Sequence, residues 1–541
     1  MIRIVCSKLL LSLVLTLSFA SSQGQKKPNI VVILADDLGF ADLGCYGGEI
    51  PTPNLDALAK NGVRFTNFYN AARCCPSRAA LLSGVYPHQA GVGHMMNDKG
   101  PDHPAYRGRL NNNTVTIGEV LKQAGYFTAM VGKWHVGQEQ GVVLWKRGFD
   151  RSFNAPAGGF YYNDKKAQLF LNGNKLANDT SLLPENWYTT DLWTDYSLKF
   201  VDEAKATEKP FLLYLAHNAP HFPLQAPESE INAFKGKYLE GWEALRKQRY
   251  ERQIKLGLID PAWKLSPLNP NVPKWDSLSE AEKQKFDHIM AIYAAVVSHL
   301  DKSIGRLIDG LKQRGLFDNT VILFVSDNGG NAEPGFEARY EGDQPGAAGS
   351  AVFLGQGWAE ASCTPFWAYK HHTHEGGIAS PGIVSWPDGI PKSRNGSFEK
   401  QPAHVTDIMA TLVDLSNATY PSVYKEEAIH PTVGVSLKPA FLGQQLKRQE
   451  PIFWEHEGNK AILDGKWKLV AENTEEWQLY DIEKDRSELH DLSTSEPEIA
   501  KKLLNRYEAW YQQIHAEPFK KTFPWFYDYN KLKRKDFSIA Q

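Results

Sequence analysis

The sequence predicts an α/β protein: a large, mostly parallel mixed sheet flanked by helices, followed by a small antiparallel sheet and one helix. Two patterns carry that prediction. Short, continuously apolar runs rich in β-branched residues alternate with helical stretches, as strands buried on both faces do. Beyond residue 450 the pattern changes to consecutive short strands divided by turn residues and closed by one helical repeat.

In chain order, the first segment stands apart from the fold. Arg3 and Lys8 lead into an apolar run over residues 9–20, and Ser18-Phe19-Ala20 offers small residues around a cleavage point. This reads as a secretory signal peptide over residues 1–20, and the run is too short to span a bilayer. The mature chain is therefore expected to be exported, to a bacterial periplasm or beyond the cell. No second long apolar segment follows, so no membrane span is expected.

Apolar runs then occur at residues 29–34, 126–131, 211–216, 321–325 and 382–386. The clearest helix has Ile292, Val296, Leu300, Ile304, Leu307, Ile308 and Leu311 on one face and ends at Gly315. Residues 238–275 are charged, with prolines near their end, and read as an insertion over the main domain. In the tail, residues 451–455, 460–463, 466–470 and 478–482 read as strands, with Asn459, Asp464-Gly465 and Asn473 as turns and a helix over 497–515. The expected division is residues 27–450 for the main domain and 451–541 for a C-terminal α+β subdomain.

The whole chain has 541 residues and a formal net charge of -2, which gives no electrostatic footprint for nucleic acid or an anionic membrane. Once Cys6 is removed with the signal, Cys45, Cys74, Cys75 and Cys363 remain, too few for a disulfide scaffold in an exported protein. The adjacent pair Cys74-Cys75 has poor geometry for a bond to itself.

Open α/β sheets bind ligands beyond the carboxyl ends of their strands. Four of the five runs end in suitable chemistry: Asp36 and Asp37, Lys133 and His135, His217 and His221, Asp327 and Asn328. The fifth ends in Trp386-Pro387, which offers none. The two acidic pairs suit an all-oxygen site for Ca2+ or Mg2+ rather than Zn2+; each pair alone would equally serve as a helix cap or loop anchor. Cys74, followed by Cys75-Pro76-Ser77-Arg78, is by itself either a reactive thiol at a helix start or a small buried residue before a proline-started helix.

The segment from Cys74 to Arg78, continuing to Leu82-Ser83-Gly84, resembles the signature of the formylglycine-dependent sulfatases, of bacterial arylsulfatase type. Gly132-Lys133-Trp134-His135-Val136-Gly137, Ala219-Pro220-His221 through Pro227, and Lys370 ahead of Gly376-Gly377 match further family motifs. The resemblance implies an alkaline phosphatase-like fold and hydrolysis of sulfate monoesters, with residues 27–450 as the catalytic domain. It implies that a maturation enzyme oxidises Cys74 to formylglycine before folding. Asp36, Asp37, Asp327, Asn328 and residue 74 would hold the cation, Ca2+ ahead of Mg2+. Arg78, Lys133, His135, His221 and Lys370 would be the catalytic side chains, acting on a sulfated sugar or glycan. Trp134, Trp358, His371 and His372 are expected to touch the sugar, and His217 is left open. Loops over residues 100–109, 157–164, 238–275 and 333–361 are expected to set the substrate. A phosphonate or phosphodiester hydrolase and an inactive glycan-binding relative remain as other readings, and no oligomeric state is legible.

Overall fold

The structure, a computed structural model, describes residues 26–137, 144–163, 167–176, 182–473 and 476–518. The signal-peptide expectation lies outside these residues. In chain order the main-sheet strands are β1 (Asn29–Ala35), β2 (Val63–Tyr69), β3 (Phe127–Lys133), β4 (Arg151–Ala155), β5 (Phe170–Leu171), β6 (Asn174–Lys175), β7 (Phe211–Ala216), β8 (Thr320–Ser326), β9 (Ala379–Ser385), β10 (Ser397–Glu399) and β11 (Ala403–His404). They form one eleven-stranded sheet in the order β10-β2-β9-β8-β1-β7-β3-β4-β5-β6, with β11 also pairing β2.

β1 lies between β7 and β8 and is parallel to both, and every residue of the three strands is buried. Because side chains alternate across a strand, one continuous apolar run feeds two cores. The helices used below are α1 (Cys74–Ser83), α2 (Ile117–Gln123), α3 (Thr189–Ala206), α4 (Gly241–Leu256), α5 (Glu280–Gln313), α6 (Asp407–Ser416) and α7 (Pro497–Gln513). Val31, Ile33, Leu213, Leu215, Ile322 and Phe324 pack with α3 and α5 on one face. Ile30, Val32, Leu34, Leu212, Tyr214 and Leu323 pack with α1, α2 and α6 on the other. α5 runs well beyond the repeat read from the sequence: Ser279 and Glu282 form a reciprocal cap at its start.

The fifth apolar run explains its own silence. β9 is antiparallel to both β2 and β8. Its carboxyl end, at Trp386, therefore lies on the edge away from the ends of β1, β3, β7 and β8. Its amino end, preceded by Gly376-Gly377, lies on the shared edge.

In the tail, β12 (Ile452–His456), β13 (Asn459–Asp464), β14 (Trp467–Ala471) and β15 (Gln478–Asp481) form a four-stranded antiparallel meander. The first turn is Glu457-Gly458, with φ of 53° and 85°, and Asn459 is already paired with His456. Two positive-φ residues are what a tight two-residue hairpin requires, and glycine makes the second one easy. One face of the meander packs on α7, where Phe453 and Trp510 stack at 4.9 Å. The other face meets Tyr69, Ala72 and Ile378 of the main domain. Between them lies a sealed charge cluster: Glu375 meets Lys468 at 2.8 Å and Arg486 at 2.7 Å, and Lys468 meets Glu488 at 2.8 Å.

Candidate active site

Asp36 and Asp37 follow β1 directly, and Asp37 turns the chain with φ 67°. A non-glycine residue in that region is costly and persists where its surroundings over-determine it. Here they do. Asp37 Oδ1 accepts from Asn328 Nδ2 at 2.7 Å and faces Lys370 Nζ at 2.8 Å; Oδ2 accepts from Asn331 Nδ2 at 2.8 Å and lies 3.7 Å from His221 Nε2. Burial opposes ionisation of Asp37, but the charges of Lys370 and His221 outweigh it and hold the carboxyl below its usual range.

Asp36 Oδ2 receives Lys133 Nζ at 2.6 Å. Arg78 donates from Nε and Nη2 to Asp327 Oδ2, at 3.0 and 2.8 Å, and from Nη1 to the Lys133 carbonyl at 2.8 Å. Its Nη2 also lies 3.5 Å from Asp36 Oδ2, so one guanidinium joins the ends of β1, β3 and β8. Every one of these groups is nearly inaccessible, and unpaired charge there would be prohibitive.

Cys74 opens α1, with Arg73 as the N-cap in extended conformation. A helix start presents backbone N–H groups and positive potential to what sits there. A hydrogen bond from Cys75, together with His135 and Lys133, holds the Cys74 thiol well below its usual range despite burial. Burial and the Cys74 charge push Cys75 the other way. The side chains of Cys74, Cys75 and His135 approach within 4.8 Å.

Lys133 and His135 do not sit on one side of a strand extension. β3 ends at Lys133; His135 has φ 58°, and its N–H donates to the Pro156 carbonyl at 2.9 Å. The turn, rather than strand alternation, returns His135 toward Cys74. Gly132 permits the approach: at φ 108°, a Cβ there would sit 1.9 Å from the Ala216 carbonyl of β7. Burial, then the Lys133 charge, brings the His135 pKa down to about 4, so the ring is neutral at pH 7. His221 hydrogen-bonds the Phe222 carbonyl through Nδ1 at 2.6 Å, which fixes that nitrogen as the donor.

The ten side chains expected to form the site thus meet at one sheet edge. Asp36 Oδ1 and Asn328 Oδ1 are buried without a hydrogen-bond partner. Together with the Asp37 and Asp327 carboxylates they make an all-oxygen donor set, which fits a hard divalent cation.

Other expectations fail for packing reasons. Trp134 is sealed, with Nε1 on the Gly137 carbonyl at 2.9 Å. Trp358 packs with Trp242 and Trp275 in the core, and its Nε1 donates to the Phe286 carbonyl. Neither can touch a sugar. His372 turns to Glu472 at 3.1 Å, and His217, left open in the sequence, is fully buried. The 238–275 stretch is anchored into the core by Arg249, 2.8 Å from both Asp42 and Glu49. Asn331 was not singled out from the sequence, although it lies only three residues past Asn328.

The profile of the family described as Sulfatase matches residues 28–418. An uncharacterized sulfatase of Schizosaccharomyces pombe is 34% identical over 528 residues, covering 90% of this chain and 94% of its own. An arylsulfatase of Klebsiella aerogenes is 34% identical over 437 residues, covering 77% of this chain and 93% of its own. Among solved structures, Ps i-CgsB in complex with k-i-k-neocarrahexaose has a TM-score of 0.67 at 28% identity, covering 92% of this chain and 96% of that one.

Proposed function

The chain belongs to the sulfatase family and is a sulfuric ester hydrolase, and from that premise we propose that it removes sulfate from a sulfated carbohydrate. In this reading it is an exo-acting enzyme on a host or algal glycan, with formylglycine at position 74 and Ca2+ held by Asp36, Asp37, Asp327 and Asn328. The observation that carries the reading is Cys74 at a buried helix start, beside His135 and Lys133 and next to the oxygen donor set. The sugar is supported by the neocarrahexaose bound to the related structure.

When residue 74 is a formylglycine hydrate, one hydroxyl displaces the alcohol from sulfur, and the other loses its proton to expel sulfate as the aldehyde reforms. A divalent cation there would orient the hydrate and polarise the sulfate. The remaining work falls to the chain's own side chains. Lys133 and Lys370 stay charged because Asp36 and Asp37 outweigh their burial, and they bind sulfate oxygens. Arg78, locked on Asp327, holds position 74 and counters developing charge. His135, neutral at pH 7, takes the proton whose loss releases sulfate. His221 protonates the leaving oxygen, which matters most for a weakly acidic sugar alcohol.

With Cys74 only 1% exposed, a maturation enzyme has to reach it before the chain folds. The proposal also places the mature protein outside the cytoplasm, in a periplasm or beyond.

Peptide mapping by mass tests the nucleophile: aldehyde at position 74 is expected, and thiol in a fully active sample would refute it. Cys74→Ala should abolish turnover while substrate binding stays measurable by calorimetry. Matched sulfate and phosphate esters of one leaving group test the reaction class, and a clear preference for the phosphorus ester would overturn it.

A further inference from the structure

Two groups of histidine and glutamate stand outside the chemistry above, and they differ in what already balances their charge. In the first, His371, His456 and Glu457 bring ligating atoms within 4.8 Å of one another. Arg73 Nη1, however, stands 2.5 Å from Glu457 Oε1, and a guanidinium at that distance would repel a metal dication.

The second group has no such cation. His372, His374 and Glu472 converge within the same 4.8 Å. Nδ1 of His372 lies 3.1 Å, and Nδ1 of His374 3.4 Å, from one oxygen, Glu472 Oε1. Among the described residues, these two rings are the only ion-pair partners of Glu472. The first contact is a hydrogen bond, whereas the second reaches the same oxygen off the hydrogen-bond direction, as atoms arranged around a common centre do. A tetrahedral Zn2+ with bonds of about 2.0–2.1 Å holds neighbouring ligand atoms roughly 3.3–3.4 Å apart, and both separations lie close to that edge length.

The backbone fixes the two rings in advance. His372 N–H donates to the Tyr369 carbonyl at 3.1 Å, and Gly377 N–H donates to the His374 carbonyl at 2.9 Å. Gly377 is required there, because a Cβ would sit 2.0 Å from the His372 carbonyl. The His372 ring stands edge-on to Tyr369 with centroids 5.1 Å apart. Ligands locked by packing and backbone bonds need little further ordering to take an ion. Glu472 comes from the other part of the molecule, directly after β14. Its side chain is 15% exposed, against 3% and 2% for the two rings, so the group opens to solvent on the Glu472 side.

We propose that His372, His374 and Glu472 form a second metal centre, which takes Zn2+ and fastens the 370–377 segment to the terminal meander. Two imidazole nitrogens and one carboxylate are a recurrent Zn2+ donor set, with water completing the tetrahedron. The oxygen donors at Asp36, Asp37, Asp327 and Asn328 suit a hard ion, so the two centres sort their metals by donor type. Lys370 opens the same segment and meets Asp37 at 2.8 Å. An ion at Glu472 would therefore brace the lysine assigned above to sulfate binding while standing outside the reaction. The inference goes beyond the sulfatase reading, and its readout is metal binding rather than turnover.

The test uses the full chain, stripped with a chelator, resupplied with Ca2+ and then titrated with Zn2+ by calorimetry, with the bound metals counted by mass spectrometry. One Zn2+ per chain in addition to the Ca2+ is expected, with a Kd on the order of 1 μM or tighter. Zn2+ should also raise the melting temperature, since it binds only the folded chain. Co2+ in its place should show the intense visible absorption of a tetrahedral ion. Glu472→Gln and His374→Gln each remove one ligand; each should weaken Zn2+ binding by about tenfold or more and abolish the thermal shift. The wild-type stoichiometry and the Co2+ spectrum depend on neither variant, so a folding defect in one or both does not decide the outcome. Zn2+ that fails to bind, that displaces the Ca2+ instead of adding to it, or that binds both variants as tightly as the wild type would overturn the inference. A Co2+ spectrum of octahedral strength would do the same.

Discussion

His221 keeps Nδ1 on the Phe222 carbonyl at 2.6 Å, so Nε2 is the nitrogen left to face the reaction. Its value depends on how poor the leaving group is. A nitrophenolate departs without help, whereas a sugar alkoxide needs a proton in the transition state. His221→Ala should therefore lower kcat on a sugar sulfate by about 10²–10⁴-fold, the usual range for a lost general acid, and on 4-nitrophenyl sulfate by far less. Equal losses on both substrates would assign His221 to sulfate binding alone. Lys133 and Lys370 should show no such leaving-group dependence, because in the proposed mechanism both address the sulfate.

Among the elements, the contact of α3, α5 and the 227–232 turn contains a histidine whose charge is structural. His299 on α5 lies 3.2 Å from Asp191 and 3.0 Å from Glu230. Burial disfavours the charged ring, but its bonds to the two carboxylates outweigh burial and push the pKa up to about 9. A group raised in the folded state stabilises fully below its unfolded value, near 6.5, and loses that contribution as pH rises through 9. With Asp191 partly exposed, the contribution is on the order of 2 kcal/mol. Urea unfolding should show the wild type losing stability between pH 6.5 and 9, with His299→Gln flat across that interval. Much of the architecture was legible because buried parallel strands declare themselves as unbroken apolar runs. The direction of β9 was not, since periodicity is the same read either way; only the missing chemistry after Trp386 hinted at it. The ten side chains that meet at the sheet edge were legible through motifs, and Asn331 and Glu457 were not. Glu457 reaches Arg73, beside Cys74, from more than 380 positions away through a hairpin turn, and no local pattern encodes such a contact. Trp134 and Trp358 misled because an aromatic residue looks the same in sequence whether it lines a cleft or fills a core.

For the molecule as a whole, the main sheet and the terminal meander are joined by the sealed cluster of Glu375, Lys468, Arg486 and Glu488, with Tyr69 OH also on Glu375 at 3.2 Å. Removing one partner from a buried ion group strands the others, at about 3–5 kcal/mol. Lys468→Ala should lower stability by that amount and raise protease sensitivity within residues 452–513 first; an unchanged urea midpoint would contradict the account. The burial of Cys74 at the start of α1 has a further consequence, for anyone making this protein. If the nucleophile is installed on the nascent chain, a folded molecule that missed that step cannot be repaired afterwards. Two preparations identical in purity, melting temperature and shape could then differ many-fold in specific activity. That activity would measure the oxidising capacity of the host, and titrating the aldehyde in each batch would be the proper basis for comparing rates.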